Sequence, residues 1–132
     1  MSPGAGGRSS ARILIVNDDP TVADSCSRAL RLDGYEVWAA LTADDGVRLA
    51  QAHTPNAIVV DIRTSIPRAL GLARSLRQIP HLSGTPIAIV SGDLHPTPDA
   101  LSELIALGAV VRYKPLWLDE LVALARSLVS AA

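Results

Sequence analysis

Four short, mainly apolar runs recur along the chain, and each one ends at a polar residue. The runs are Ile13–Val16, Ala57–Val60, Ile87–Val90 and Val110–Tyr113. Runs of this length that are rich in β-branched residues are typical of strands buried on both faces of a parallel sheet. Longer stretches with helical periodicity separate them, which favours repeated strand–helix units.

The pattern predicts an α/β fold: a doubly wound (βα)5 three-layer sandwich. Its five-stranded parallel sheet should have the flavodoxin-like strand order 2-1-3-4-5, since strand–helix–strand crossovers are right-handed. The predicted strands cover residues 12–17, 35–39, 57–61, 86–91 and 110–113, and the predicted helices cover 20–32, 43–53, 67–78, 97–108 and 117–129. We expect residues 1–10 to form a flexible N-terminal tail and residues 11–132 to form one domain.

Composition limits the classes of function. A chain of 132 residues with 48 % hydrophobic residues can bury one substantial core. The net charge of −1 gives no general attraction to nucleic acid or to an anionic membrane surface. The apolar runs are shorter than the ~20 residues that span a bilayer, and the single cysteine, Cys26, cannot form an internal disulfide. These features predict a cytoplasmic protein that acts directly on neither nucleic acid nor membranes.

Polar residues at the carboxyl ends of four predicted strands should meet, because the carboxyl ends of parallel strands line one crevice. They are Asn17, Asp18 and Asp19, then Asp61, Ser91 and Lys114. Carboxylates with a hydroxyl and an ammonium group suit a divalent metal and a phosphoryl group. Mg²⁺ binds through a few carboxylates, waters and phosphate oxygens, and a metal together with a lysine offsets the charge of a transferred phosphoryl group.

The motifs at these strand ends resemble the CheY-like receiver domain of bacterial two-component response regulators, over about residues 11–130. They are Ile-Leu-Ile-Val-Asn-Asp-Asp-Pro at 13–20, Ile-Val-Val-Asp at 58–61, Ile-Val-Ser-Gly at 89–92 and Tyr-Lys-Pro-Leu at 113–116. One motif alone would be weak evidence. Four in the same order, each at a predicted strand end, make a specific match.

The resemblance implies a role for each matching residue. Asp61 resembles the phosphoacceptor, whose carboxylate takes a phosphoryl group from a histidine kinase or a phosphotransfer protein. Asp18 resembles the direct Mg²⁺ ligand. Ser91 resembles the hydroxyl that bonds a phosphoryl oxygen, and Lys114 resembles the lysine that pairs with the phosphoryl group or the acceptor carboxylate.

The resemblance also implies further members of the metal set. Asn17 occupies the second position of the usual acidic pair, which acts on the metal through water. Asp19 either assists the metal or only caps the helix that begins at Pro20. The backbone carbonyl of Arg63 completes the implied set.

The chain departs from the family pattern at several positions. Asn17 replaces a carboxylate, and Ser65 and Ala69 stand where the family often has proline and glycine. The aromatic residue usual on strand five is replaced by Val111, and Tyr113 lies beside the lysine instead. The turn into helix three and the coupling to an aromatic rotation are therefore expected to differ.

The leading interpretation is a stand-alone phosphoacceptor receiver in a phosphorelay, not an enzyme, which signals by protein–protein contact. A downstream partner, or a second copy in a homodimer, would bind helix four, strand five and helix five, where Trp117 is a candidate anchor.

The alternative is a degenerate receiver that acts unphosphorylated as a docking or dimerisation module. An Asp-nucleophile phosphohydrolase is disfavoured because Arg63 stands where its second acid would be. An FMN binder is disfavoured by the acidic loop after strand one.

Overall fold

The five predicted strands form one parallel sheet in the computed structural model, which describes residues 11–61, 66–92 and 96–131. The strands are β1 (Arg12–Asn17), β2 (Glu36–Ala40), β3 (Ala57–Asp61), β4 (Ile87–Ser91) and β5 (Ala109–Tyr113). Their order is β2-β1-β3-β4-β5, so the predicted fold class is confirmed. The tail predicted at residues 1–10 lies outside the described residues.

Within the described residues, five α-helices connect or follow the strands, as predicted. They are α1 (Pro20–Leu32), α2 (Ala43–His53), α3 (Ile66–Arg77), α4 (Pro98–Ala106) and α5 (Leu118–Ala131). The predicted ends agree to within two residues. A short 3₁₀ turn at Pro80–Leu82, between α3 and β4, was not predicted. No helix in the described part of the chain is long and apolar enough to cross a membrane.

Side-chain caps fix where the helices begin. The Asp19 carboxylate accepts hydrogen bonds from the backbone N–H groups of Thr21 at 3.0 Å and Val22 at 3.3 Å, and Pro20 takes the first helical position of α1. The Thr97 hydroxyl accepts a bond from the N–H of Ala100 at 3.2 Å. Such caps satisfy N–H groups that have no partner within the helix. For Asp19, the cap was one of the two roles that the sequence left open.

Along each strand, successive side chains project from opposite faces of the sheet. Leu14 and Val16 of β1 belong to a core shared with α2, α3 and α4. Ile13 and Ile15 belong to the other core, which is shared with α1 and α5. The three layers follow from this period of two, since both faces of a buried parallel strand must be apolar.

Two side chains have environments that local periodicity alone does not indicate. The half-buried ring of His53 stacks on Trp38, with ring centroids 4.2 Å apart and an interplanar angle of 16°. Ile105, which lies on the apolar periodicity of α4 with Leu104, is 64 % exposed, whereas Leu104 is fully buried. The apolar stripe of α4 is therefore wider than the strip that the sheet covers.

Two helical glycines differ in how closely they are packed, and only Gly46 lies against β1. A Cβ added at Gly46 in α2 would lie 2.9 Å from Cγ2 of Val16, which is buried. A Cβ added at Gly71 in α3 would have nothing within 4 Å. Gly71→Ala is therefore expected to raise the free energy of unfolding by about 0.5–1 kcal/mol through lower backbone entropy in the unfolded chain.

Gly46→Ala gains the same helical preference but must displace Val16. We expect the free energy of unfolding to fall by about 1–2 kcal/mol, because overpacking of a core typically destabilises more than the helical preference of alanine stabilises. Urea unfolding followed by far-UV circular dichroism measures both changes. Equal shifts in the two variants would show that Val16 moves aside without cost.

Candidate functional site

Strand pairing brings the predicted site residues to one edge of the sheet. Asn17, the last residue of β1, pairs in register with Asp61, the last residue of β3. The backbone N–H of Lys114, just after β5, donates to the carbonyl of Ser91 at the end of β4, at 2.9 Å. The sequence prediction that these strand ends form one crevice agrees with this register.

The Asp61 carboxylate contacts a different donor at each oxygen. Lys114 Nζ lies 2.7 Å from Oδ1, and Asn17 Nδ2 lies 3.3 Å from Oδ2. The side chains of Lys114 and Asp61 are 33 % and 18 % exposed. Partial burial reduces screening by water, so this ion pair holds the carboxylate more firmly than a surface pair would.

Asn17 is buried, with 2 % of its surface exposed. Its Oδ1 accepts a hydrogen bond from the backbone N–H of Asp19 at 2.9 Å. Asp19 uses one carboxylate oxygen to cap α1. Of the two roles that the sequence left open for Asp19, the described contacts are those of the cap.

Asp18 and Ser91 complete the described part of the predicted set. Asp18 is half-buried and its Oδ1 is fully buried, while Ser91 is 5 % exposed. Gly92 follows Ser91 and leaves space beside the Lys114 side chain, since a Cβ there would lie 3.8 Å from Lys114 Cδ. Arg63 and Ser65 lie outside the described residues.

Cys26 lies closer to the site than sequence reasoning indicated. It is half-buried on α1, where burial raises the pKa of its thiol and the negative charge of Asp61 raises it further. With Asn17 and Asp61 it lines a cavity of about 160 Å³, whose other walls include Leu116 and Leu121. The sequence excluded only an internal disulfide for Cys26, and the fold places it at the same cavity as this carboxylate.

The donor atoms suit a hard divalent cation. Asp18 and Asp61 supply carboxylate oxygens, and the Oδ1 atom of each is buried. Within residues 11–61, 66–92 and 96–131, no three His, Cys, Asp or Glu side chains are grouped as a metal cage. Mg²⁺ is commonly held by one or two carboxylates, with waters and phosphate oxygens as the other ligands. Two carboxylates at this strand edge fit that mode.

Comparison with known proteins matches most of this chain to one domain family. Residues 13–126 match the model of the response regulator receiver domain. The chain is 32 % identical over 123 residues to the transcriptional regulatory protein PrrA of Mycobacterium tuberculosis, covering 93 % of this chain and 52 % of PrrA. Protein PilH of Pseudomonas aeruginosa is 33 % identical over 81 residues, covering 61 % of this chain and 67 % of PilH. The chain thus spans about half the length of the PrrA proteins that it matches.

Solved structures agree with this assignment. The chemotaxis response regulator CheY4 of Vibrio cholerae superposes with a TM-score of 0.77 at 23 % identity, covering 89 % of this chain and 98 % of CheY4, and so supports the fold. A putative response regulator from Chloroflexus aurantiacus superposes with a TM-score of 0.74 at 28 % identity, covering 91 % and 98 %. The sheet order, the strand-end residues and these matches together show that the chain belongs to the receiver domain family of two-component response regulators.

Proposed function

We propose that this receiver domain accepts a phosphoryl group on Asp61 from a histidine kinase or a phosphotransfer protein, with Mg²⁺, and signals by protein–protein contact. One observation carries the proposal. The Lys114 ammonium lies 2.7 Å from the Asp61 carboxylate at the carboxyl edge of the sheet, where folds of this class bind their ligands.

The chemistry follows from the residues around Asp61. An ionised carboxylate needs no base to become a nucleophile. An Asp61 oxygen forms the new O–P bond as the P–N bond of phosphohistidine breaks, and the imidazole leaves with the electron pair. Lys114 offsets the charge that gathers on the phosphoryl oxygens, and the Ser91 hydroxyl donates to one of them. Mg²⁺, held by Asp18 and Asp61, would supply further positive charge.

The direct test is incubation of the protein with a small phosphodonor, with and without Mg²⁺, followed by intact mass measurement. We expect a mass increase of one phosphoryl group, only with the divalent cation, in a form that is stable to acid and labile to base. No adduct with Mg²⁺ present, or the same yield after chelation, would overturn the proposed function.

The same experiment separates the second candidate, a degenerate receiver that acts unphosphorylated. Asn17 in place of a carboxylate and the half-buried Val111 in place of an aromatic residue favour this candidate. The lysine–carboxylate contact favours the phosphoacceptor. A protein that takes up no phosphate but still associates with a partner would be such a module.

We propose that the output surface is formed by α4, β5 and the start of α5. Three consecutive elements leave large apolar side chains exposed there: Ile105 is 64 % exposed, Tyr113 40 %, Trp117 67 % and Leu118 47 %. The backbone N–H of Trp117 donates to Glu120 Oε1 at 3.0 Å, so the indole stands at a capped helix start. Exposed aromatic residues in such positions are typical interface anchors.

Trp117→Ala is therefore expected to weaken association while leaving the fold intact. The side chain is two-thirds exposed, so the free energy of unfolding should change by no more than about 0.5 kcal/mol. Sedimentation velocity of the phosphorylated protein, with thermal unfolding in parallel, measures both properties. Leu32→Ala is the matched control, since Leu32 is 90 % exposed at the C-terminal end of α1, which is not part of the proposed output surface. Equal association in the two variants, or a loss of stability in Trp117→Ala alone, would show that the indole only covers the loop.

A further inference from the structure

We propose that Asn17 is a hydrogen-bond donor to the acceptor carboxylate and competes with the divalent cation for it, instead of serving as a ligand of the cation. This inference rests on the proposed role of Asp61. Asn17 occupies the second position of the family's usual acidic pair, and in this chain it would act on the acceptor carboxylate and not on the cation. Asn17 would orient the acceptor when no cation is bound, and would weaken cation binding.

The orientation of the Asn17 amide is fixed by its neighbours. Its Oδ1 accepts from the backbone N–H of Asp19 at 2.9 Å, which leaves Nδ2 facing Asp61 Oδ2 at 3.3 Å. Turning the amide over would set an NH₂ group against the Asp19 N–H and an oxygen against a carboxylate, and both contacts would be repulsive. The Asn17 side chain is buried, so water cannot readily compensate for a reversed amide.

The backbone holds the two residues in this arrangement. Asn17 and Asp61 are register partners at the ends of adjacent parallel strands. Their side chains therefore project to the same face of the sheet. The contact is set by the strand pairing and by the turn at Asp19, and does not depend on a mobile surface side chain.

Donors occupy both acceptor oxygens in this arrangement. Lys114 Nζ contacts Oδ1 at 2.7 Å and Asn17 contacts Oδ2 at 3.3 Å. A cation that binds either oxygen must displace a donor or share its oxygen with one. An aspartate at position 17 would instead repel the acceptor carboxylate and attract the cation, so the amide reverses the electrostatic preference at this position.

In the described part of the chain, the carboxylate of Asp19, two residues after Asn17, already serves as a helix cap. Asp19 Oδ1 accepts from two N–H groups of α1. The described residues hold no group of three or more acidic, His or Cys side chains in metal-binding arrangement. Among the residues that the structure describes, Asp18 and Asp61 thus remain as the charged oxygen donors, with the Asn17 amide 3.3 Å from Asp61.

The test is calorimetric titration of the unphosphorylated protein with Mg²⁺, so the result does not depend on whether a phosphate adduct forms. Asn17→Ala removes the competing donor and is expected to raise the Mg²⁺ affinity. Asn17→Asp is expected to raise it by about tenfold or more, since site charge tunes affinity for hard cations. Asp18→Ala, which removes a charged ligand, is expected to lower it.

Asn17→Ser guards against a folding defect in Asn17→Ala. A serine hydroxyl can still accept from the N–H two residues on, but it is too short to reach Asp61. If Asn17→Ala and Asn17→Ser both bind Mg²⁺ more weakly than the natural protein, as Asp18→Ala should, Asn17 is a ligand and the inference is wrong. If the natural protein gives no measurable heat, Asn17→Ala decides: Mg²⁺ binding in that variant supports the inference, and no binding overturns it.

Discussion

Asp61→Asn is expected to abolish the phosphate adduct completely. The amide nitrogen and amide oxygen that replace the carboxylate are poor nucleophiles, so no O–P bond should form. The new side chain has nearly the same shape, and its single oxygen can keep the contact with Lys114 or the one with Asn17. The fold should therefore be kept, and intact mass after incubation with a small phosphodonor and Mg²⁺ measures the loss.

Asp19→Asn is the matched control for that variant. It makes the same chemical change two residues after Asn17, at a helix cap, and Asn caps helices about as well as Asp. The acceptor oxygen that bonds Thr21 and Val22 is retained in the amide. The adduct should persist in Asp19→Asn. An adduct that survives Asp61→Asn, or disappears equally in both variants, would remove Asp61 as the acceptor.

Arg77→Met is expected to be the most destabilising of the substitutions considered away from the site. The Arg77 guanidinium, half-buried at the end of α3, donates to three backbone carbonyls: Leu107 at 2.7 Å, Leu82 at 2.8 Å and Thr85 at 2.7 Å. Burial lowers the pKa of this guanidinium, but an arginine remains charged at neutral pH. Methionine keeps an apolar stem and supplies no donors.

The loss should be about 3 kcal/mol in the free energy of unfolding, because carbonyls left unsatisfied in a partly buried place cost about 1–3 kcal/mol each and water recovers part of this. Arg28→Met is the control, since Arg28 makes only an exposed pair with Asp24 at 3.0 Å on α1, and should change stability by less than about 0.5 kcal/mol. Arg77→Lys should fall between the two, because one ammonium cannot reach three separate carbonyls. Urea unfolding measures all three; similar midpoints would contradict the role of Arg77.

Local chemistry made much of the fold predictable. Short apolar runs predicted the strands, and Asp19 before Pro20 indicated the start of α1, because a cap acts within three residues of itself. The predicted ends of α1 and α4 lie within two residues of glycines in the left-handed region, with φ of +98° at Gly34 and +78° at Gly108. The strand-end rule placed Asp61 near Lys114 before any contact was known.

Other features depend on distant neighbours and were not predictable. A sequence cannot tell which end of the Asn17 amide faces Asp61, since that depends on the Asp19 N–H and on the register of β1 against β3. Arg77 looked like any charged residue near a helix end. Its three carbonyl partners come from the residue that follows α4 and from the segment around the 3₁₀ turn, so no local pattern revealed them. The stack of His53 on Trp38 joins α2 to β2 in the same way.

The alternation of side chains along β1 has a consequence for how this chain can change in evolution. Ile13 and Ile15 pack on one face, Leu14 and Val16 pack on the other, and Asn17 continues the odd-numbered series toward Asp61. Deleting or inserting one residue within β1 would exchange the faces of everything beyond that point. Such a change would disrupt the packing of the core and the position of Asn17 at the same time. Insertions and deletions are therefore confined to the connecting loops, and the strands can diverge only by substitution.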